Sequence, residues 1–279
     1  MPGLRGQTGT VPVVVVPDAS DPHLDEVRLL RSPDGVLRRM GLVVVEGVTI
    51  VERLLRQQRA VRRLVVTPTL WARLHPVLGD PEITVVLVER EVLAEAAGFD
   101  VHRGVLAFVD EPALAALDTL VREARTLVVV EGLNDAENLG ALMRSSWALG
   151  ADALLLDPTT LDPYGRRVVR VSMGAALDLP IARAAPWPEV LTRLRDEGVA
   201  IMALTPRAEA RPLRSLEIEP GRRVAVLVGA EGPGLSEAAL RSATVAVRIP
   251  MRTGVDSLNV THAAAIALAA LDRPPTITS

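Results

Sequence analysis

Three polar segments, far apart in the chain, each follow an apolar run and carry side chains able to hold a ligand. Asn138-Leu139-Gly140-Ala141-Leu142-Met143-Arg144 comes just after Leu127-Val128-Val129-Val130. Gly229-Ala230-Glu231-Gly232-Pro233-Gly234-Leu235-Ser236 comes just after Val224-Ala225-Val226-Leu227-Val228. The third is Ile249-Pro250-Met251, then Asp256-Ser257-Leu258-Asn259-Val260, opening an alanine-rich helix. Asn138 and Asn259 each offer hydrogen-bond donors and acceptors. Arg144 carries a planar guanidinium that matches phosphate. Glu231 stands in a turn whose glycines let backbone amides and carbonyls face a ligand. Ligand sites in open α/β sheets lie outside the carboxyl ends of strands, so three such ends are expected to build one pocket.

Each feature also has a plainer reading. Arg144 taken alone is a helix-surface arginine in a salt bridge. Asn138, near a helix start, could serve as an N-cap, and Asp256 or Ser257 could cap the helix that begins near Leu258. A Gly-rich turn is mostly structural, and Gly140 permits a close approach of backbone or ligand. His262, inside the alanine-rich helix, reads as a buried or interface residue. His102 and Arg103, before the last strand of the first half, read as a surface loop.

The elements that must position these residues follow from hydrophobic periodicity. In the second half, strands are expected at 126–131, 152–157, 179–183, 199–204, 224–228 and 245–249. Helices are expected at 137–149, 166–174, 187–197, 236–242 and 257–271. Near-continuous apolar strands separated by helices imply a parallel sheet covered on both faces. No Gly-x-Gly-x-x-Gly follows the first of these strands and no Gly-x-x-x-x-Gly-Lys is present, which disfavours dinucleotide and P-loop folds. The first half alternates at smaller scale. Strands are expected at 13–16, 42–45, 61–66, 84–88 and 104–109, with the 13–16 strand at an edge because prolines flank it. Helices are expected at 24–31, 48–57, 70–74 and 91–97.

Composition bounds the function classes. The chain has 279 residues, 49% hydrophobic but only 2% aromatic, so its core must be built mainly of Val, Leu, Ala and Ile. Without cysteine, disulfides and thiolate metal sites are excluded. Four scattered histidines (His23, His75, His102, His262) show no metal-ligand spacing. No apolar run approaches the ~20 residues of a membrane span, and the short Val13–Val16 stretch lacks the core of a signal peptide. A cytoplasmic, soluble protein is expected. All 31 basic residues are arginine, and the net charge of −3 argues against an indiscriminate nucleic-acid binder. Residues 38–63 nevertheless hold seven arginines against Glu46 and Glu52, a local net of +5, and Arg166, Arg167 and Arg170 form a second basic cluster.

The three segments, in this order, resemble the three sequence motifs of the SpoU (TrmH-type) RNA ribose 2′-O-methyltransferases. The resemblance covers about residues 122–272 strongly and about residues 40–110 more weakly. The weaker part rests on Val43-Val44-Val45-Glu46-Gly47 and His102-Arg103-Gly104-Val105-Leu106-Ala107, which resemble the small RNA-binding domain that often precedes the catalytic domain. The implied fold is α/β. A C-terminal trefoil-knot methyltransferase domain at 122–273, a parallel sheet with helices on both faces, follows a small α/β ribosomal-protein-like domain at 40–111. Residues 112–121 are expected as linker and 1–39 as an N-terminal extension that matches nothing.

The resemblance implies S-adenosylmethionine as cofactor and structured RNA as partner, ribosomal RNA more readily than transfer RNA. It also implies a homodimer, with no metal and no membrane. Asn138, Arg144, Glu231, Ser257 and Asn259 match the catalytic positions. Gly229, Ile249 and Leu258 match positions whose backbone groups hold the cofactor. Thr205, at the end of the 199–204 strand, joins that pocket by topology. Ala230 stands where many members have Asn, and Thr261 replaces a more usual Ser. The competing expectations are a transfer-RNA 2′-O-methyltransferase, a noncatalytic RNA-binding protein on the same fold, and a knotted methyltransferase acting on a base or a protein.

Overall fold

A computed structural model describes residues 12–33, 35–78, 83–101, 104–219 and 221–271. His102 and Arg103 lie outside the described residues. The chain divides into two units, one of residues up to Pro112 with Tyr164–Arg166, the other of Ala113–Pro163 and residues from Arg167 onward.

The first unit holds β1 (Val13–Val16), α1 (Asp25–Arg28), α2 (Gly35–Arg39), β2 (Leu42–Glu46), α3 (Val48–Arg56), β3 (Val61–Val66), α4 (Pro68–Leu74), β4 (Thr84–Val88), α5 (Arg90–Ala97) and β5 (Val105–Asp110). Its sheet runs β1-β4-β3-β5-β2, parallel on the β1 side and antiparallel at both β5 pairings. Val44, Val65, Val86, Leu106 and Phe108 share a core with Leu24, Val27, Leu37 and Leu93 from the helices. β1 lies at the edge, as its flanking prolines require, and β1, α1 and α2 belong to this unit's sheet and core. Residues 13–39 are therefore no separate extension. The expected 24–31 helix shortens to α1, flanked by 3-10 turns at Pro22–Leu24 and Leu29–Arg31.

The basic surplus of 38–63 is compensated by acids that a count along the sequence does not see. Arg38 pairs with Glu111, Arg62 with Asp110 and Arg63 with Glu26, all acids outside that stretch. The packing of α1, α2, β3 and β5 brings these charges together, so local net charge overstates the cation available to a phosphate.

The second unit holds α6 (Leu117–Glu123), β6 (Thr126–Glu131), α7 (Ala136–Ala148), β7 (Ala153–Leu156), α8 (Arg166–Val171), α9 (Ala175–Asp178), β8 (Ile181–Arg183), α10 (Glu189–Asp196), β9 (Ala200–Leu204), β10 (Arg211–Pro212), β11 (Val224–Gly229), α11 (Glu237–Ser242), β12 (Val245–Arg248) and α12 (Val260–Ala269). Seven strands, all parallel, lie in the order β10-β12-β9-β11-β6-β7-β8. This order is consistent with the trefoil knot that the resemblance implies. Alternate side chains point to opposite faces of a strand. Leu127, Val129, Ala225 and Leu227 pack with α6, α10 and α11 on one face. α7 and α12 pack against each other, and α12 against β11. Half of the expected linker is helix α6, with Val121 fully buried in this core. Sequence periodicity misses α9 and β10, which are too short to show a period.

The loops at the carboxyl ends of β6 and β7 are locked together by Asp157. Its Oδ1 accepts from Gly132 N at 3.0 Å, Thr160 N at 2.8 Å and Thr160 Oγ1 at 2.5 Å, and its Oδ2 from Thr159 Oγ1 at 2.6 Å. Arg183 adds bonds to the Asp157, Thr160 and Leu161 carbonyls. Burial alone would raise the Asp157 pKa, but the bonds from Thr159, Thr160 and the two backbone N–H groups outweigh it and hold the carboxyl below its ordinary value. A group depressed in the folded state stabilises it above the ordinary aspartate pKa, and this contribution fades as pH falls below about 4. Asp157→Ala is expected to lower unfolding free energy by about 2–3 kcal/mol, read by urea titration. Asp157→Asn is expected to show a shallower loss of stability than wild type as pH is lowered through 4.

Candidate active site

Two helix starts and one turn meet at the carboxyl edge of the second sheet. The N-cap of α7 is Asp135, whose side chain accepts from Asn138 N at 2.8 Å. Capping is thus done three residues earlier, and the Asn138 amide is free to reach across. Asn259, rather than Asp256 or Ser257, caps α12, its Oδ1 accepting from Thr261 N at 3.0 Å. The helix accordingly starts at Val260, two residues later than Leu258.

The other end of the Asn259 side chain joins the three segments. Its Nδ2 donates to Asn138 Oδ1 at 2.7 Å and to Glu231 Oε1 at 2.8 Å. Thr261 Oγ1 donates to the Asn138 carbonyl at 3.2 Å. Turning the Asn259 amide over would set its oxygen against two acceptors and its NH2 against a backbone N–H, so this orientation is the one that satisfies every partner. Thr261 keeps the hydroxyl that a serine would supply there.

The turn after β11 is closed tightly. Gly234 N donates to Ala230 O at 3.0 Å. A Cβ on Gly229 would lie 2.3 Å from the Gly234 carbonyl carbon and 2.5 Å from Leu235 N, so only glycine fits there. Gly140 is also a close-approach position, but the neighbour is α8: a Cβ would lie 2.7 Å from Val171 Cβ and 2.8 Å from Val168 O. Its small size therefore serves helix packing.

Beside the turn opens a cavity of about 460 Å³. Gly229, Ala230, Glu231, Gly232 and Gly234 form one wall, and Thr205 and Pro206 another. Ile249, Met251, Ser257, Leu258 and Asn259 close it from the third segment, over a floor that includes Val228, Val247, Val260 and Ala263. Thr205, Gly229, Ile249 and Leu258 all line it, as do Glu231, Ser257 and Asn259. Asn138 reaches this group through Asn259. Arg144 does not line the cavity. It lies exposed on α7, six residues beyond Asn138, with no ion pair or side-chain hydrogen bond among the described residues. His262 is exposed in the single chain.

Residues 125–269 match the SpoU rRNA Methylase family. A tRNA/rRNA methyltransferase of Mycobacterium tuberculosis, itself uncharacterised, is 43% identical over 90% of this chain and 88% of its own length. The chain belongs to the SpoU family. An AdoMet-bound rRNA methyltransferase from Sinorhizobium meliloti is similar in structure, with a TM-score of 0.79 and 25% identity over 92% of this chain and 97% of that one. An RNA 2′-O ribose methyltransferase gives a TM-score of 0.72 and 28% identity, covering 92% and 97%. Two side chains of this SpoU chain that sequence reading passed over also stand at strand ends: Glu131 is the last residue of β6, and Asp157 directly follows β7. The signal was a carboxylate directly after an apolar run. Among the described residues no group of His, Cys, Asp or Glu could hold a metal, and no helix is long and apolar enough to cross a membrane.

Asn259→Ala removes both the cap and the bridge, and is expected to cost about 1–2 kcal/mol in urea unfolding. Asn259→Asp keeps an acceptor for Thr261 N but loses both donated bonds. It should therefore retain helix content by circular dichroism while separating Asn138 from Glu231.

Proposed function

We propose that this chain transfers a methyl group from S-adenosylmethionine to a ribose 2′-hydroxyl of structured RNA, ribosomal RNA first. The observation that carries this reading is the Asn259 bridge, which ties Asn138 and Glu231 together at the rim of the cavity. Membership of the SpoU family supports RNA methylation as the broader activity. The Asn-Arg pair of the first segment and the Ser-Leu-Asn of the third favour ribose over a base.

The cavity suits the cofactor. Its volume falls within the roughly 300–1,000 Å³ usual for small-molecule sites, and it combines an apolar floor with the Thr205, Ser257 and Asn259 polar groups. Backbone groups of Gly229, Ile249 and Leu258 would hold it. When bound, it supplies an electrophilic methyl group on a sulfonium. The remaining work falls to the chain. Positioning of the hydroxyl behind the methyl carbon supplies much of the rate enhancement. Arg144 is free to grip a substrate phosphate and to offset negative charge as the hydroxyl loses its proton. A guanidinium is a poor base, so its part is to position and to stabilise charge. Asn138 is held by Asn259 so that its amide nitrogen remains available to orient substrate. Ser257, exposed and lining the cavity, would offer its hydroxyl to the ribose.

We further propose a homodimer. Trp147 on α7 and Ile266 on α12, each 42% exposed, give this helix pair an apolar outer face for a second copy. The small unit would then receive RNA by shape and 2′-hydroxyl contacts.

Tritium transfer from labelled S-adenosylmethionine to total RNA, followed by digestion and identification of the nucleoside, tests the reading. Wild type is expected to label a ribose 2′-oxygen. Arg144→Ala is expected to lose at least about 100-fold in rate, the scale of a lost charge-stabilising group, with cofactor affinity by calorimetry unchanged. Label on a base, or no cofactor binding by wild type, would overturn it.

A further inference from the structure

The cavity wall built by residues 229–234 is a loop whose two ends return to one residue. At its start, Gly229 pairs in register with Glu131 across β11 and β6. At its end, Ser236 N donates to Glu131 Oε2 at 2.8 Å and Ser236 Oγ to Glu131 Oε1 at 2.7 Å. Ser236 Oγ also accepts from Ala239 N at 3.1 Å, so the same hydroxyl caps α11. On its far side Glu131 Oε1 accepts from Trp187 Nε1 at 2.8 Å, which holds the carboxylate against the loop before α10. Glu131 does not itself line the cavity.

We propose that Glu131 is the positioning residue for the cofactor. Its carboxylate closes the 229–236 loop into the shape that receives S-adenosylmethionine. This rests on the reading that the cavity binds that molecule. Three donors from two segments converge on one carboxylate, and only an ionised acid accepts all three without presenting a donor of its own. Four of the residues with which the loop lines the cavity are glycine or alanine, which leaves most of that wall without side chains to fix its shape. Closing it beforehand means that the ordering cost is met during folding rather than on binding. Because Glu231 lies inside the loop, the same closure sets the Asn259 bridge.

The test is calorimetric titration of S-adenosylmethionine, and of S-adenosylhomocysteine as a nonreactive probe, into wild type, Glu131→Ala, Glu131→Gln and Val121→Ala. Val121 is buried in the same core, but on α6, which leads into the opposite, amino end of β6. Expected is a Kd at least about tenfold weaker in Glu131→Ala, an intermediate loss in Glu131→Gln, and a Kd within twofold of wild type in Val121→Ala despite its lowered Tm. In steady state, KM for the cofactor should rise with KM for RNA unchanged. Wild-type affinity in both Glu131 variants would overturn the proposal. So would an equal loss in Val121→Ala, which would make the effect one of general stability. If Glu131→Ala does not fold, Glu131→Gln decides between the same outcomes. Wild type failing to bind either probe would remove the underlying reading instead.

Discussion

Everything at the edge of the second sheet depends on one constraint, the parallel pairing of β11 between β6 and β9. β11 is buried along nearly its whole length and bonds to both neighbours. Parallel pairing requires that the chain return over the sheet between strands, and it sends every carboxyl end to the same side. The polar segments after β6, β9, β11 and β12 therefore converge whatever their separation in sequence. The helices that make the returns also cover both faces, which is why these strands tolerate apolar residues at every position.

Within that frame, Asn259 couples two tasks that usually fall to different residues. One end of its amide satisfies an orphan N–H of α12; the other gathers Asn138 and Glu231. The register of the last helix and the geometry of the site are thus a single variable. A shift of α12 by one residue would break both together. Ser236 shows the same economy of means at the start of α11, where its hydroxyl both caps the helix and donates to Glu131.

Much of this was legible in the sequence. Six of the seven strands of the second sheet could be placed within about two residues, because largely apolar runs leave little choice of register. Of the cavity residues, Thr205 could be named because it follows a strand, and Gly229, Ile249 and Leu258 because they match positions in the family motifs. Cap assignments were not legible. Asp135, Asn138, Asp256, Ser257 and Asn259 all have side chains that can cap, and only the position of the packed helix selects among them. Nor was the pairing of Arg38, Arg62 and Arg63 with acids tens of residues away, since the packing of helices and strands brings those charges together. Glu131 was passed over for a related reason: its three donors come from residues 187 and 236, and no local pattern announces them.

The bond between Asn138 and Asn259 spans 121 residues of chain. A ribosome adding about 5–20 residues each second needs roughly 6–24 s to make that length. Throughout that interval β6 and α7 exist without the strand and helix that complete the site. Three of its elements, β11, β12 and α12, emerge last. A nascent chain therefore has no finished cavity until α12 has been made, long after the β6–α7 scaffold that carries Asn138.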